Sequence, residues 1–204
     1  MHGFISYSLP EPLRDITLGS LPAAAPADRC EFAHLLLLKA TVTPPLKSSP
    51  ILSYDNHGKP HTNRPDQAIS FSTCNSLIYG AVSPGTALGI DGATRNDFDS
   101  SYPYNRVFHL DELDLGSSVL NEVDETAAFV WACKESVVKA RGSGFRGITP
   151  KDLRLVDIKH KDHCYRATIT LFSQEISTLV VSLGSHWLAI CRENPSHICN
   201  WRKG

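Results

Sequence analysis

The apolar residues of this chain fall into short runs that are separated by polar, turn-forming segments. Such runs, where apolar residues alternate or cluster between turn signals, are typical of strands. Three of them lie in the first half of the chain, at residues 68–72, 77–82 and 86–91. We expect these three to pair in order as a small meander. Four more predict antiparallel strands in the second half, at residues 153–158, 164–172, 176–182 and 186–191.

Three other segments have the pattern of helices. Residues 31–42 are strongly apolar and predict a core helix that ends before a Pro-Pro pair, which a helix cannot cross. Residues 106–115 predict a second helix and residues 126–141 a third. The expected boundary signals of the third helix are caps at Asp124 and Thr126 and a stop at Gly142.

The remaining segments favour irregular structure. The first 30 residues are rich in Pro and Ala and predict a loosely packed beginning. Residues 46–67 are polar and turn-rich, which indicates a loop with at most a short strand. Residues 92–105 are polar and aromatic and predict a crossing between two halves, at residues 1–95 and 96–204. Each half then offers a helix and a small antiparallel sheet, so the predicted fold class is α+β.

Composition narrows the possible functions. A hydrophobic content of 42% supports a core, while a net charge of -1 and a pI near 6.7 predict neither nucleic-acid binding nor attraction to an anionic membrane. No apolar run approaches the roughly 20 residues of a spanning helix, and the N-terminus lacks a secretory signal pattern, so a cytoplasmic location is expected. The six cysteines show no Cys-x-x-Cys pair, which favours reduced, mostly buried thiols.

The third predicted helix carries the most informative residues. Glu135 and Lys139 are four positions apart and so share one face of the helix. Asp91 ends an apolar strand some forty residues earlier, and an acid on a strand end with an acid on a helix makes a plausible divalent-ion site beside a lysine for phosphate. The alternatives are an ordinary Glu–Lys ion pair on a solvated face and an aspartate that caps a turn.

Other chemical sites are less well supported. His160, His163 and Cys164 have metal-ligand side chains, but no distant Cys pair completes a zinc set, so a polar hairpin is the preferred interpretation. No Gly-x-Ser-x-Gly elbow occurs, which argues against a hydrolase of that type.

Several motifs follow one another in the order and spacing of a known superfamily. They are Gly58-Lys59-Pro60, Ile69-Ser70-Phe71-Ser72, Gly89-Ile90-Asp91 and the pattern Trp-x-x-Lys-Glu-x-x-x-Lys from Trp131 to Lys139. The chain resembles the 4'-phosphopantetheinyl transferases of the surfactin-synthetase type from about residue 53 to residue 155. The resemblance implies a pseudo-dimer of two similar halves with the active site in the cleft between them.

The resemblance also implies an activity. It is the magnesium-dependent transfer of the phosphopantetheine arm of coenzyme A to a serine of an acyl or peptidyl carrier protein, with release of adenosine 3',5'-bisphosphate. The implied metal ligands are Asp91 and Glu135, and Glu135, Lys139 or a water on the metal would accept the serine proton. The implied coenzyme A contacts are Lys59, Ser70, Phe71, Lys134 and Lys139. The protein is expected to act as a monomer, and Arg141, Arg146 and Lys151 are candidates for a basic patch that meets an acidic carrier helix.

Three departures from the family pattern suggest an alternative. Phe71 stands where the family has a histidine that contacts coenzyme A phosphates, and Ala93 stands where it has a further acid. The basic N-terminal clamp for the 3'-phosphate is reduced to Arg14, Arg29 and Lys39. A pseudoenzyme of the same fold that binds a carrier protein or an assembly partner is therefore the second hypothesis. A cleft for another nucleotide-linked cofactor is a third.

Overall fold

The computed structural model describes residues 4–11, 13–23, 28–40, 51–85, 87–99, 101–161 and 163–193, and within them the fold is α+β with antiparallel sheets. The helices are α1 (Asp28–Lys39), α2 (Tyr104–Val107), α3 (Leu110–Leu120) and α4 (Val123–Arg141). The strands of the first half are β1 (Ile5–Tyr7), β2 (Thr17–Pro22), β3 (Leu52–Tyr54), β4 (Pro60–Thr62), β5 (Gln67–Cys74) and β6 (Leu77–Pro84). Those that follow are β7 (Leu88–Ala93), β8 (Leu153–Lys161), β9 (Cys164–Leu171), β10 (Gln174–Ser182) and β11 (Trp187–Arg192).

The first sheet has the order β1-β2-β6-β5 and is covered by α1. Phe32 and Leu36 of α1 are fully buried against it, and Gly80 of β6 lets them approach because a Cβ there would lie 2.6 Å from Leu36 Cδ1. The prediction that the first 30 residues are irregular was wrong, since β2 lies between β1 and β6. Leu18 of β2 is fully buried, and Pro22 only ends the strand.

The second sheet has the order β7-β11-β10-β9-β8 and packs against α4. All its neighbours are antiparallel, and the four strands predicted in the second half are confirmed. The predicted three-stranded meander was wrong, because β7 pairs with β11 and leaves β5 and β6 as a pair. The physical reason is that β7 is almost entirely buried. It lies between α4 and the edge of the first sheet, and not beside β6 as a half-exposed hairpin partner.

The helices before the second sheet differ from prediction at their boundaries. The predicted helix 106–115 is two helices, α2 and α3, with a break at Phe108 and His109. Helix α4 begins at Val123, so Asp124 and Thr126 lie inside its first turn and are not its caps. Its end is as predicted, because Gly142 adopts a left-handed conformation with φ of 73° that favours glycine.

The remaining segments complete the comparison. Helix α1 starts earlier than predicted, and its predicted end before the Pro-Pro pair falls outside the described residues. A two-stranded hairpin, β3 and β4, occupies the described part of the predicted loop. Among the described cysteines, Cys74, Cys133 and Cys191 are buried thiols as expected, whereas Cys30 is exposed and Cys164 is half-buried. Within the described residues no helix is long and apolar enough to cross a membrane. The division near residue 95 stays a prediction.

Candidate active site

A cavity of about 290 Å³ lies where the first sheet, the β3–β4 hairpin and α4 meet. Its walls come from β5, from the loop between β3 and β4, from α4 and the loop after it, and from Arg29 of α1. The lining side chains with chemical character are Arg29, Tyr54, His57, Lys59, Ser70, Phe71, Glu135, Lys139 and Phe145. Five of the seven predicted site residues are thus in one place, and Asp91 contacts one of them directly.

Lys139 connects Asp91 to this cavity. Its ammonium donates to Asp91 Oδ1 at 2.5 Å, and the hydroxyl of Ser72 donates to the same oxygen at 2.9 Å. Lys139 also lies 3.5 Å from the carbonyl oxygen of Phe71, at the limit of a hydrogen bond. The ordinary Glu135–Lys139 ion pair is therefore not what the structure shows, because the lysine is paired with the strand aspartate.

Glu135 lies on the same face of α4 and lines the cavity. Among the described residues it has neither a hydrogen-bond partner nor an ion-pair partner. Burial and the nearby charge of Asp91 raise the pKa of Glu135, and Lys139 opposes this rise. Burial likewise raises the pKa of Asp91, although Lys139 and Ser72 favour its ionised form. Two desolvated carboxylates, one of which raises the pKa of the other, are a natural place for a cation to bind.

This donor set suits a hard divalent ion. Mg²⁺ is commonly held by one or two carboxylates, while waters and substrate phosphates complete its coordination. Asp91 and Glu135 meet that requirement, and Ala93 is a buried apolar residue that adds no oxygen. The part of the chain that the structure describes contains no group of three or more His, Cys, Asp or Glu side chains placed to hold a metal.

The two serines of the Ile-Ser-Phe-Ser motif join the two sheets. Ser70 Oγ accepts a hydrogen bond from the backbone N–H of Ile90 at 3.0 Å, and Ser72 Oγ accepts one from Gly92 at 3.1 Å. These N–H groups belong to β7, the edge strand of the second sheet, and β5 is the edge strand of the first. Ser70 lines the cavity, but it is 97% buried. Its hydroxyl oxygen holds β7 beside β5, because it accepts the hydrogen bond from Ile90.

Lys59 reaches the cavity from the hairpin loop, as predicted, but it is also bound to α4. Its ammonium donates to the carbonyl oxygen of Ala140 at 2.5 Å, in the last turn of the helix. Burial lowers the pKa of Lys59. Gly142 makes the approach possible, since a Cβ there would lie 2.6 Å from Lys59 Cδ.

Phe71 lines the cavity beside a cation, Arg29, that comes from α1. The guanidinium of Arg29 lies 6.0 Å from the centre of the Phe71 ring, close enough for a cation–π contact. Phe32 packs on the ring from α1 at a centroid distance of 5.9 Å. The sequence named Arg29 only as one of three basic residues, with Arg14 and Lys39, left for the 3'-phosphate clamp. Its position depends on how α1 packs on the sheet, which no local pattern reveals.

Lys134 is the predicted contact that the structure does not bring to the cavity. Its side chain is fully buried on another face of α4, where the ammonium donates to Glu112 Oε2 at 2.8 Å and to the carbonyl oxygen of Val107 at 3.1 Å. Glu112 also accepts the backbone N–H groups of His109 and Leu155. Lys134 therefore joins α4 to α3 and β8.

Two other sequence expectations can be compared with the structure. Arg141 does not belong to a surface patch, because its side chain is 5% exposed and pairs with Glu193 at 2.9 Å. Arg146 is exposed, and Lys151 is half-buried. The hairpin of β8 and β9 is confirmed, with His160 packed on Tyr165 at a centroid distance of 4.6 Å.

Comparison with known proteins assigns the family. No curated protein matches the chain significantly. A family model described as the 4'-phosphopantetheinyl transferase superfamily matches residues 87–191, slightly more than half of the chain, and this range includes Asp91, Glu135 and Lys139. The α+β architecture is compatible with that family. The chain belongs to the 4'-phosphopantetheinyl transferase superfamily.

Proposed function

We propose that this protein transfers the 4'-phosphopantetheine arm of coenzyme A to a serine of an acyl or peptidyl carrier protein, as a divergent member of the surfactin-synthetase type. The observation that carries the proposal is that Glu135 and Lys139 line one cavity and that Lys139 pairs with Asp91 beside it. Membership of the superfamily supports a transferase of this general kind. The geometry indicates which side chains of this chain would take part in the transfer.

The cavity offers both a cationic and an apolar wall for coenzyme A. Arg29, Lys59 and Lys139 would bind phosphate oxygens, because ammonium and guanidinium groups donate charge-assisted hydrogen bonds to phosphate. Phe71 has no hydrogen-bonding group and would contribute a flat apolar surface against which Arg29 is held. The missing histidine of the family pattern is thereby offset by an arginine from another element.

Asp91 and Glu135 would hold Mg²⁺. The ion would neutralise the charge on the pyrophosphate and make it open to attack. Lys139 favours the ionised form of Asp91 against the effect of burial, and Ser72 fixes the orientation of the carboxylate. Ser70 and Ser72 together keep the strand that carries Asp91 beside the coenzyme A cavity.

The chemistry requires one proton to move. The serine oxygen of the carrier forms a bond to the phosphorus that carries the pantetheine arm, and the bond from that phosphorus to the bridging oxygen breaks. The bridging oxygen leaves as part of adenosine 3',5'-bisphosphate. Glu135 or a water on the metal would accept the serine proton, since Glu135 lines the cavity and has no partner among the described residues.

The proposal extends to the arrangement of the whole protein. Each sheet carries one helix on its face, α1 on the first and α4 on the second, which supports a pseudo-dimer of similar halves. The exposed Arg146 and the half-buried Lys151 are the basic side chains that would meet an acidic carrier helix. We further propose that the protein acts in the cytoplasm as a monomer.

Intact mass spectrometry tests the activity. Purified protein is mixed with Mg²⁺, coenzyme A and a panel of apo carrier proteins, and we expect the mass of at least one carrier to increase by one phosphopantetheine group. Asp91→Asn and Glu135→Gln should each reduce the rate at least about 100-fold. Glu125→Gln, an identical change at the other end of α4, should have no effect. No adduct on any carrier and no binding of coenzyme A would refute the proposal.

A further inference from the structure

The loop between β3 and β4 is closed by one carboxylate. Asp55 Oδ1 accepts the backbone N–H groups of His57 at 2.8 Å and Lys59 at 2.9 Å. Asp55 Oδ2 pairs with His61 Nε2 at 3.2 Å. Burial raises the pKa of Asp55, but the hydrogen bonds from Lys59 and His57 outweigh it and lower the pKa to about 2. Asp55 is therefore ionised across the physiological range and holds the loop with its charge.

The backbone of this loop closes on the same residue. The N–H of Asp55 donates to the carbonyl oxygen of Lys59 at 3.0 Å, and the N–H of Gly58 donates to the carbonyl oxygen of Asp55 at 3.0 Å. Gly58 has a φ of 80°, a left-handed conformation that favours glycine. The loop is consequently a short turn closed by several hydrogen bonds. Its conformation fixes the direction in which the Lys59 side chain leaves the backbone.

That direction leads into the cavity and to the end of α4. The Lys59 ammonium has three N–H donors, and the carbonyl oxygen of Ala140 uses one of them. No carboxylate within the described residues forms an ion pair with Lys59, so donors remain for an anion in the cavity. His57, whose backbone Asp55 also holds, lines the same cavity.

We propose that Asp55 is a positioning residue that presents Lys59, with His57 beside it, to a phosphate group of the nucleotide substrate. This inference rests on the proposed function and names a residue outside the family motifs. Because Lys59 is bound to the helix that carries Glu135 and Lys139, the same turn holds the substrate phosphates in register with the reacting groups. Asp55 itself does not touch the substrate.

Binding of coenzyme A by calorimetry, with four variants, tests this role. Asp55→Ala removes the acceptor and should weaken binding about tenfold, as loss of a single charge-assisted contact does. Asp55→Asn keeps an amide oxygen for the two backbone N–H groups and should stay within about threefold of the native affinity. Lys59→Ala should weaken binding at least as much as Asp55→Ala. The double variant should be no weaker than Lys59→Ala alone, because Asp55 acts through Lys59.

Kinetics separate positioning from general damage. For Asp55→Ala the KM for coenzyme A should rise about tenfold while kcat stays within about twofold. Asp66→Asn, an exposed acid just after the hairpin, is the matched control and should change neither. Additive losses in the double variant, or equal losses in kcat and kcat/KM, would overturn the inference. If the native protein binds coenzyme A and Asp55→Ala binds it equally well, only this inference is overturned. If the native protein binds no coenzyme A, the proposed function is overturned as well.

Discussion

Replacement of Lys134 by Met is the sharpest test of how α4 is held. Lys134 and Glu112 are both fully buried, with Nζ and Oε2 2.8 Å apart. Methionine fills a similar volume but leaves the Glu112 carboxylate as an uncompensated charge in the interior. The backbone N–H groups of His109 and Leu155, at 2.7 and 2.6 Å, stay bound to it and offset only part of that cost.

The magnitude follows from the burial of both partners. Removal of one partner of a buried ion pair costs about 3–5 kcal/mol. In a protein of this size each kcal/mol lowers the melting temperature by about 2–4 °C, so we expect a fall of about 6–20 °C. The double variant Lys134→Met with Glu112→Gln removes both charges, keeps an oxygen acceptor near the backbone donors, and should recover part of the loss.

Urea unfolding followed by circular dichroism measures the free energy, and calorimetric titration of the folded protein measures coenzyme A binding. The control is Lys159→Met, since Lys159 is 75% exposed and its pair with Asp157 should contribute less than about 1 kcal/mol. Affinity for coenzyme A should be unchanged in folded Lys134→Met. A tenfold loss of affinity with unchanged stability would refute this reasoning and restore Lys134 as a ligand contact.

Three further predictions follow from single contacts. Arg29→Ala should weaken coenzyme A binding, measured by calorimetry, about tenfold. Arg14 lies outside the cavity, so Arg14→Ala should leave the affinity unchanged. Equal effects of the two changes would exclude the Arg29 contact. Gly89→Ala should destabilise the protein by about 3 kcal/mol in urea unfolding, because the new Cβ would lie 2.0 Å from the carbonyl oxygen of Ser136. An unchanged free energy of unfolding would mean that α4 can move away from β7. Glu135→Gln should reduce transfer at least about 100-fold yet raise the free energy of unfolding at pH 7. The folded pKa of Glu135 is above its ordinary 4.5, so its ionisation costs stability as the pH rises through that window. A gain in stability that did not shrink on acidification would contradict this cause.

The parts of the fold that could be predicted are those written locally in the sequence. Alternation predicted β8 to β11, and the glycine after residue 141 predicted the end of α4. Pairing between distant strands leaves no such local signal. The partner of β7 is about 100 residues away in β11, and the burial of β7 on both faces depends on α4 and β5. Proline content likewise hid β2, because the prolines lie at and beyond its ends.

The same distinction between local and long-range signals applies to the residues of the site. The spacing of the motif predicts that Glu135 and Lys139 share one face of α4, and both line the cavity. Their partners could not be predicted: the sequence does not show that Lys139 pairs with Asp91 and leaves Glu135 open to the cavity. Arg29 depends on the packing of α1, and the role of Asp55 depends on hydrogen bonds to its own loop.

Helix geometry alone predicts that Lys134 does not face the cavity. Successive residues of a helix are about 100° apart, so Glu135 and Lys139 are separated by about 40°, whereas Lys134 and Lys139 are separated by about 140°. Only one of the two lysines can face the cavity, and the one that shares a face with Glu135 is Lys139. The other points away from the cavity. In the structure it is buried, where its ammonium requires a carboxylate, and Glu112 provides it. The motif therefore has two roles on one helix: Lys134 joins α4 to the neighbouring elements, and Glu135 and Lys139 on another face line the cavity.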